Sequence, residues 1–336
     1  MVIFRQATPD DIPNIMKFID EHWREGDTLA RNRAFFEWNY IRKGAVTMVI
    51  AVDDNTQSIY GIQGYLPYTD EDLYPDCAGS IWKAIKCDDP LIGIHLAEYM
   101  HQNIHMRYYA GAGMRERARR MAKLNGGSVV AMDHYYRLNS NIKTDNYRIA
   151  TVNEKIIPDF QSYDIELERI PSMDQFMKAM DQSILIKSIF CKDYRYIKWR
   201  YYDHPIYKYD LWKLCGTDCD SQAVMVTRNE KYEGSSMCKI IDFFGDYSLF
   251  SKLGNALDKL MKDNNHEYID VYSYGVCAEN YIAGGMVCCD KNSANIIPNY
   301  FQPFTRENID IYLEEPKFDG LVLFRGDGDQ DRPITY

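Results

Sequence analysis

The sequence predicts an α/β (α+β) chain in which helices pack on sheets, built from two copies of one domain. Three observations predict it. Segments with apolar residues at helical spacing alternate with short β-branched and aromatic runs, the pattern of helices covering a sheet. A strand–turn–helix–strand stretch beginning near Ile81 recurs near Met237. That offset of about 160 residues marks a second domain copy, because solenoid repeats have periods of roughly 20–50 residues. The length of 336 residues suits about two domains. We read them as residues 1–152 and 153–336.

The elements follow in order. Val2-Ile3-Phe4-Arg5 predicts a strand. Thr8 as N-cap and Pro9 at the first helical position open a helix to about Arg24, with Ile12, Ile15, Met16, Ile19 and Trp23 on one face. A second helix covers about Arg31 to Ile41. Strands at Val46–Val52 and Ile59–Tyr65 flank the polar turn Asp53-Asp54-Asn55-Thr56, a hairpin signal. A strand over Ile81–Cys87 runs through the turn Asp88–Gly93 into a helix with Ile92, Leu96, Tyr99 and Met100 apolar. That turn aims backbone N–H groups outward at a helix N-terminus, which favours an anion. A strand at Met106–Ala110, a basic helix around Arg115–Arg120 and a strand at Ala131–Tyr136 close the first half. In the second half, Tyr147–Val152 reads as a strand, followed by helices at Ser172–Met180 and Tyr194–Arg200. Strands at Lys208–Leu214, Ala223–Arg228 and Met237–Phe244 precede a helix at Ser248–Lys262, a strand at Tyr268–Tyr272 and a helix at Ala278–Ala283.

Bulk properties exclude several classes. Apolar content of 46% supports real cores. A net charge of −10 argues against a nucleic-acid partner, which calls for a basic face. No apolar run approaches the ~20 residues that span a bilayer, so membrane insertion is not expected. Nine scattered cysteines behind Met1-Val2-Ile3-Phe4, which is no signal peptide, read as thiols of a cytoplasmic protein. No metal is expected. Cys215 and Cys219 lack a second ligand pair, and Asp327-x-Asp329-x-Asp331 has Arg332 where a calcium loop needs Gly. Gly111-Ala112-Gly113 has Glu116 at the third position of a dinucleotide fingerprint.

The order helix pair, hairpin, central strand, turn and helix resembles the GNAT acyltransferase superfamily. The resemblance implies a mixed, mostly antiparallel sheet with helices on both faces in each tandem domain. In that family the turn after the fourth strand carries a Gln/Arg-x-x-Gly-x-Gly/Ala pattern that holds the coenzyme A pyrophosphate. Asp89-Pro90-Leu91-Ile92-Gly93-Ile94 keeps one Gly of it, and Phe244-Gly245-Asp246-Tyr247 departs further. More specific phrases are Trp82-Lys83-Ala84, His134-Tyr135-Tyr136-Arg137-Leu138-Asn139, Pro298-Asn299-Tyr300-Phe301 and Asp327-Gly328-Asp329-Gln330-Asp331-Arg332-Pro333. They resemble the tandem GNAT proteins of bacterial surface-polysaccharide clusters that N-acylate dTDP-linked 3-amino-3,6-dideoxyhexoses. The resemblance implies an acyl-CoA donor, hence coenzyme A as co-substrate, and a nucleotide-linked amino sugar as acceptor.

By position in such a site, the acyl group lies along the central strand edge at Ile85, Lys86 and Cys87. The pyrophosphate meets Pro90, Leu91, Ile92, Gly93 and Ile94, and Arg115 of the basic run reaches the coenzyme's phosphate. The plainer reading of Arg115–Arg120 is a solvated face balanced by Glu116. Asp133 and His134 are the candidate catalytic pair. Strand neighbours point to opposite faces, and imidazole accepts a proton at neutral pH, so His134 is the expected base. The alternative is a satisfied, half-buried strand histidine. Tyr281 holds the helix position where relatives often carry the Tyr that protonates the leaving thiolate, and the first-half equivalent is Ala122. Candidate acceptor contacts are Trp23, Arg31, Tyr135, Asn299, Tyr300, Phe301, Asp329, Gln330 and Arg332. Two rival functions stand beside this one: a non-catalytic acyl-CoA-binding scaffold, and an N-acyltransferase acting on a peptide or small-metabolite amine. Monomer and homodimer both remain open.

Overall fold

Strand-forming runs in the first hundred residues close into one five-stranded sheet. The structure is a computed structural model that describes residues 1–69, 74–124 and 126–335. The chain divides into two units, Met1–Gly111 with Arg332–Tyr336, and Ala112–Asp331.

In the first unit, β1 (Val2–Gln6), β2 (Met48–Asp53), β3 (Ile59–Pro67), β4 (Cys77–Ala84) and β5 (Tyr109–Ala110) lie side by side in that order. All neighbours are antiparallel except β4 and β5, which run parallel. β2 reads Met-Val-Ile-Ala-Val and is buried at each of these positions, because helices cover both faces. One covering layer is α1 (Ile12–Phe18), extended by a wide turn over Ile19–Trp23, with α2 (Thr28–Arg31) and α3 (Arg33–Tyr40). The helix expected over Arg31–Ile41 is split at Asn32, and side chains start both pieces. Asp27 accepts from Leu29 N and Asn32 from Phe35 N, each at 3.0 Å. The other layer is α4 (Ile92–Asn103), which buries Ile92, Leu96 and Met100 against Val49, Ala51, Tyr65 and Cys77. The strand expected over Met106–Ala110 shrinks to β5, and the central strand ends at Ala84 rather than Cys87.

The second unit opens with α5 (Glu116–Leu124), β6 (Val129–Ala131) and β7 (Asp133–Leu138). Next come β8 (Glu166–Arg169), α6 (Met173–Ala179), α7 (Gln182–Leu185) and α8 (Tyr194–Ile197). β9 (Asp210–Cys215), β10 (Ala223–Tyr232), β11 (Ser235–Gly245), α9 (Gly254–Asn264), β12 (His266–Tyr274), α10 (Ala278–Ala283) and β13 (Val287–Cys289) complete the repeat. Short strands finish the chain: β14 (Tyr300–Phe301), β15 (Phe304–Thr305), β16 (Tyr312–Glu314) and β17 (Leu323–Phe324). The large sheet has the order β8-β9-β10-β11-β12-β7-β13, with β11 and β12 its parallel pair. Two cores flank it. One contains Tyr135, Ile240, Ile269, Leu257 and Tyr281; the other contains Tyr136, Met237, Tyr268 and Ile297.

β7 explains why the units part at Gly111 and not near residue 152. It pairs antiparallel with β12 from Leu138–Tyr268 to Asp133–Ser273, and with β13 on its other side. The run Tyr147–Val152 is not a strand, apart from a single bridge from Thr151 to Ile296. Its amides go instead to one buried carboxylate. Glu267 accepts from Arg148 N at 2.6 Å, Ile149 N at 3.0 Å and Ala150 N at 3.2 Å. Glu267→Gln replaces one acceptor oxygen by a donor and is expected to cost about 1–2 kcal/mol. Urea denaturation checks this, and an unchanged midpoint would count against it. The helix expected at Ser248–Lys262 is a 3₁₀ segment, Tyr247–Lys252, followed by α9. Among the described residues no helix is long and apolar enough to cross a membrane.

Candidate functional site

The central strand of the first unit is irregular where it matters. The pairs Gln63–Trp82 and Tyr65–Gly79 set two steps along β3 against three along β4, so the extra residue of a β-bulge lies in β4 at Ser80–Ile81. On its other side β4 pairs with β5 only at Cys77–Tyr109 and Ala78–Ala110. The strands part there, and Gly79–Ala84 runs on beyond the end of that ladder. Gly111 passes so close that a Cβ on it would sit 3.2 Å from Gly79 Cα. Ser80 Oγ is tied to Tyr40 Oη at 2.6 Å. Of the residues expected to form the acyl edge, Ile85 donates its N–H to Tyr60 O at 2.9 Å and therefore faces β3. Lys86 is exposed past the strand end, and Cys87 Sγ donates to Asp89 O at 3.4 Å. The stretch of β4 past the β5 ladder lies earlier, at Gly79–Ala84.

The turn expected to cradle a pyrophosphate is capped from within. Asp89 Oδ1 accepts from Leu91 N at 2.9 Å, and Asp89 Oδ2 lies 2.6 Å from His95 Nδ1. The His95 hydrogen bond holds the Asp89 carboxyl below its ordinary value. Ile92 N turns back to Asp89 O at 3.4 Å and Ile94 N to Leu91 O at 2.7 Å. Pro90 is exposed, and Gly93 packs beside Ala84. Three expected acceptor contacts also fall in this unit. Trp23 ends the wide turn after α1, half-buried. Arg31 grips Asp20 with Nε at 3.0 Å and Nη2 at 2.6 Å. Arg332 is not a ligand-facing cation: its guanidinium holds both oxygens of the fully buried Asp27, at 2.8 and 3.1 Å, and so secures the chain end.

The second unit repeats the arrangement with a difference. Val226–Asp242 and Thr227–Ile240 pair across a bulge that places Ile241 as the extra residue of β11. The parallel pairing of β11 with β12 stops at Ile240–Val271. Beyond it, β17 lies in the gap: Phe324 and Leu323 pair with Ser273 and Tyr274, and Gly326 N donates to Ile241 O at 2.7 Å. The turn after β11 is again capped by a carboxylate, Asp246, which accepts from Ser248 N at 2.9 Å. Tyr281 sits on α10 as expected but is fully buried. It donates to Ser273 Oγ at 2.8 Å and stacks on Tyr135 at 4.6 Å between ring centroids. Burial pushes its phenol far up, so it is no ready proton donor.

Asp133 and His134 point to opposite faces, as strand alternation requires. Asp133 is exposed, whereas His134 is buried and stacks on Tyr272 at 3.9 Å. His134 Nε2 lies 3.1 Å from Asp270 Oδ2, whose other contact is a bidentate grip by Arg325 at 2.9 and 3.1 Å. Burial drives the His134 imidazole down against the pull of Asp270. Burial would raise the Asp270 carboxyl, but Arg325 and His134 hold it well below the usual range. His134 is thus a satisfied interior histidine, not a solvent-facing base. The structure brings it near two other expected residues. Lys239, on β11 opposite Asp270, donates to Asn299 O at 2.7 Å and lies 4.7 Å from the Phe301 ring. Burial, with repulsion from Arg325 and Arg228, pushes Lys239 down to about 7. Tyr300 is half-exposed beside it.

The remaining expected residues lie apart from that cluster. Gln330 Nε2 reaches Ala112 O at 2.8 Å and Asp329 Oδ1 at 3.2 Å, and Arg115 is exposed just before α5. Lys239, Asp270 and Arg325 were not among the expected residues. Their signal was a charge inside an otherwise apolar strand, as in Tyr268-Ile269-Asp270-Val271-Tyr272, which demands a buried partner.

No family model matches the chain, and no curated protein matches it. Solved structures do. A GCN5-related N-acetyltransferase from Anabaena variabilis ATCC 29413 aligns over 93% of this chain and 72% of its own, at 10% identity and a TM-score of 0.50. The chain has the GNAT fold. Saccharomyces cerevisiae N-myristoyltransferase with bound myristoyl-CoA aligns over 99% of this chain and 84% of its own, with 10% identity and a TM-score of 0.45. A GCN5-related N-acetyltransferase from Sphaerobacter thermophilus covers 95% and 97%, with 10% identity and a TM-score of 0.42. β4 lies between β3 and β5, β11 lies between β10 and β12, and β7 completes the second sheet between β12 and β13.

Proposed function

We propose that this chain is an acyl-CoA-dependent N-acyltransferase whose acceptor is the amine of a dTDP-linked amino-deoxy sugar in surface-polysaccharide synthesis. The observation that carries the reading is the bulged central strand β4, whose edge runs on past the end of the β5 ladder through Gly79–Ala84 into the turn before α4. An extended pantetheine with its two amides suits such an edge, since it can pair as a short strand does. The turn suits its diphosphate less well, because Asp89 already caps Leu91 N. Direct attack needs an unprotonated amine and a donor for the carbonyl oxygen as its charge grows. A backbone N–H of β4 past the β5 ladder is the donor this reading requires. The C–N bond forms as the C–S bond breaks, and the proton shed by the amine balances the released thiolate. The sugar specificity rests on the sequence resemblance.

The capped turns in both halves favour the scaffold as the second reading. Turnover separates the two. Acetyl-CoA with a dTDP-amino sugar is expected to release free thiol and add an acetyl mass to the sugar. Coenzyme binding without thiol release, for any amine offered, would leave the scaffold. Asp89→Asn removes one like charge from the diphosphate's position at the helix N-terminus. It is expected to tighten coenzyme A by about 0.3–1 kcal/mol, severalfold in Kd. Calorimetry checks this, and weaker binding would remove the diphosphate from that turn.

A further inference from the structure

We propose that Leu323–Asp331 is a built-in occupant of the parting between β11 and β12, so that the second unit takes no acyl-CoA and the chain holds one coenzyme. The coenzyme count rests on the acyl-CoA reading above; the occupancy does not. The segment meets both strands as a ligand would. It pairs with Ser273 and Tyr274 on β12, and Gly326 N takes the carbonyl of the bulge residue Ile241 on β11. Gly326 is required there: a Cβ would stand 2.6 Å from Tyr201 Oη and 2.9 Å from Ile241 O.

Three of the segment's four charges find partners in the unit beneath it. Arg325 holds Asp270 of β12. Asp327 Oδ2 accepts from Lys192 Nζ at 3.1 Å and from Phe324 N at 2.7 Å, and the same Lys192 holds Asp242 of β11 at 2.7 Å. Asp331 accepts from Arg228 of β10 at 2.6 Å. Leu323, Phe324, Arg325, Asp327 and Asp331 are all buried, so the contacts are interior and not a surface strap. Buried charges require such partners. The segment is therefore held in this slot at Arg325, Asp327 and Asp331. In the first unit the β4–β5 ladder ends at Ala78–Ala110 and β4 runs on past it.

Hydrogen–deuterium exchange on the full chain tests the occupancy without any ligand. Peptides covering Leu323–Asp331 are expected to exchange with the slow β12 core, at least about a hundredfold slower than an exposed loop. Exchange at loop rates would overturn the proposal. Gly326→Ala is expected to speed exchange of this segment by about tenfold while peptides from β8 and β9 stay slow. An unmoved segment would count against the fit. Equilibrium dialysis with coenzyme A is expected to give one equivalent per chain, and two would overturn the proposal. Zero equivalents with a protected segment would support the occupancy and overturn the acyl-CoA reading instead.

Discussion

Asp331→Ala is expected to destabilise the second unit by about 3–5 kcal/mol, the cost of leaving a buried cation without its partner. Asp331 is 2% exposed and accepts from Arg228 Nη2 at 2.6 Å, Arg228 Nε at 3.1 Å and Tyr209 Oη at 2.8 Å. Burial would raise its carboxyl, but Arg228, Lys239 and Arg200 hold it well below the usual range. Without it, Arg228 keeps Glu230 at 2.6 Å and the Tyr207 ring, a half-paired interior charge. Asp331→Asn keeps the shape and one acceptor, so it should fall between wild type and alanine. Guanidinium denaturation reads the series. A loss below about 1 kcal/mol for alanine would show a surface-type ion pair instead.

Acid is expected to unfold the second unit well above the carboxylate range. Burial pushes His204 down to about 3 and His266 down to about 4. Geometry agrees: His204 Nδ1 accepts from Ile206 N at 3.2 Å and Tyr207 N at 2.9 Å, and His266 Nδ1 lies 2.9 Å from Ser236 Oγ. Both folded imidazoles sit below the free value of ~6.5, so below that pH the unfolded chain binds more protons. Stability present above pH ~6.5 is therefore lost as pH falls toward about 4 and about 3. At pH 5 each histidine contributes a loss of about 2 kcal/mol. Calorimetry from pH 7 to 5 should show a falling Tm, with a shallower slope in His266→Gln. A flat profile would mean that both rings take up protons in the fold as readily as in the unfolded chain.

Local chemistry was the legible part of this chain. Thr8-Pro9 opens the first helical segment as expected, and the offset between Ile81 and Met237 reflects the two strands β4 and β11. What escaped reading depends on partners far away in sequence. Tyr147–Val152 has strand composition, yet Glu267, more than a hundred residues on, takes its amides. β7 looks like the end of the first half until β12 exists to pair with it. The acidic tail offers acceptor contacts to a sequence reader because the sequence shows Asp327 and Asp331 but not Lys192 and Arg228 opposite them. His134 shows the same limit. Asp270 and Tyr272, both distant in sequence, enclose it and make it interior.

The central claim is that acyl-CoA lies along β4 of the first unit. Hydrogen–deuterium exchange with and without coenzyme A, paired with a thermal shift, tests it most directly. At 100 times its Kd the ligand is expected to add ~2.7 kcal/mol and to slow exchange across Gly79–Ala84 and the turn to Ile94. No thermal shift, or protection confined to the second unit, would contradict the account.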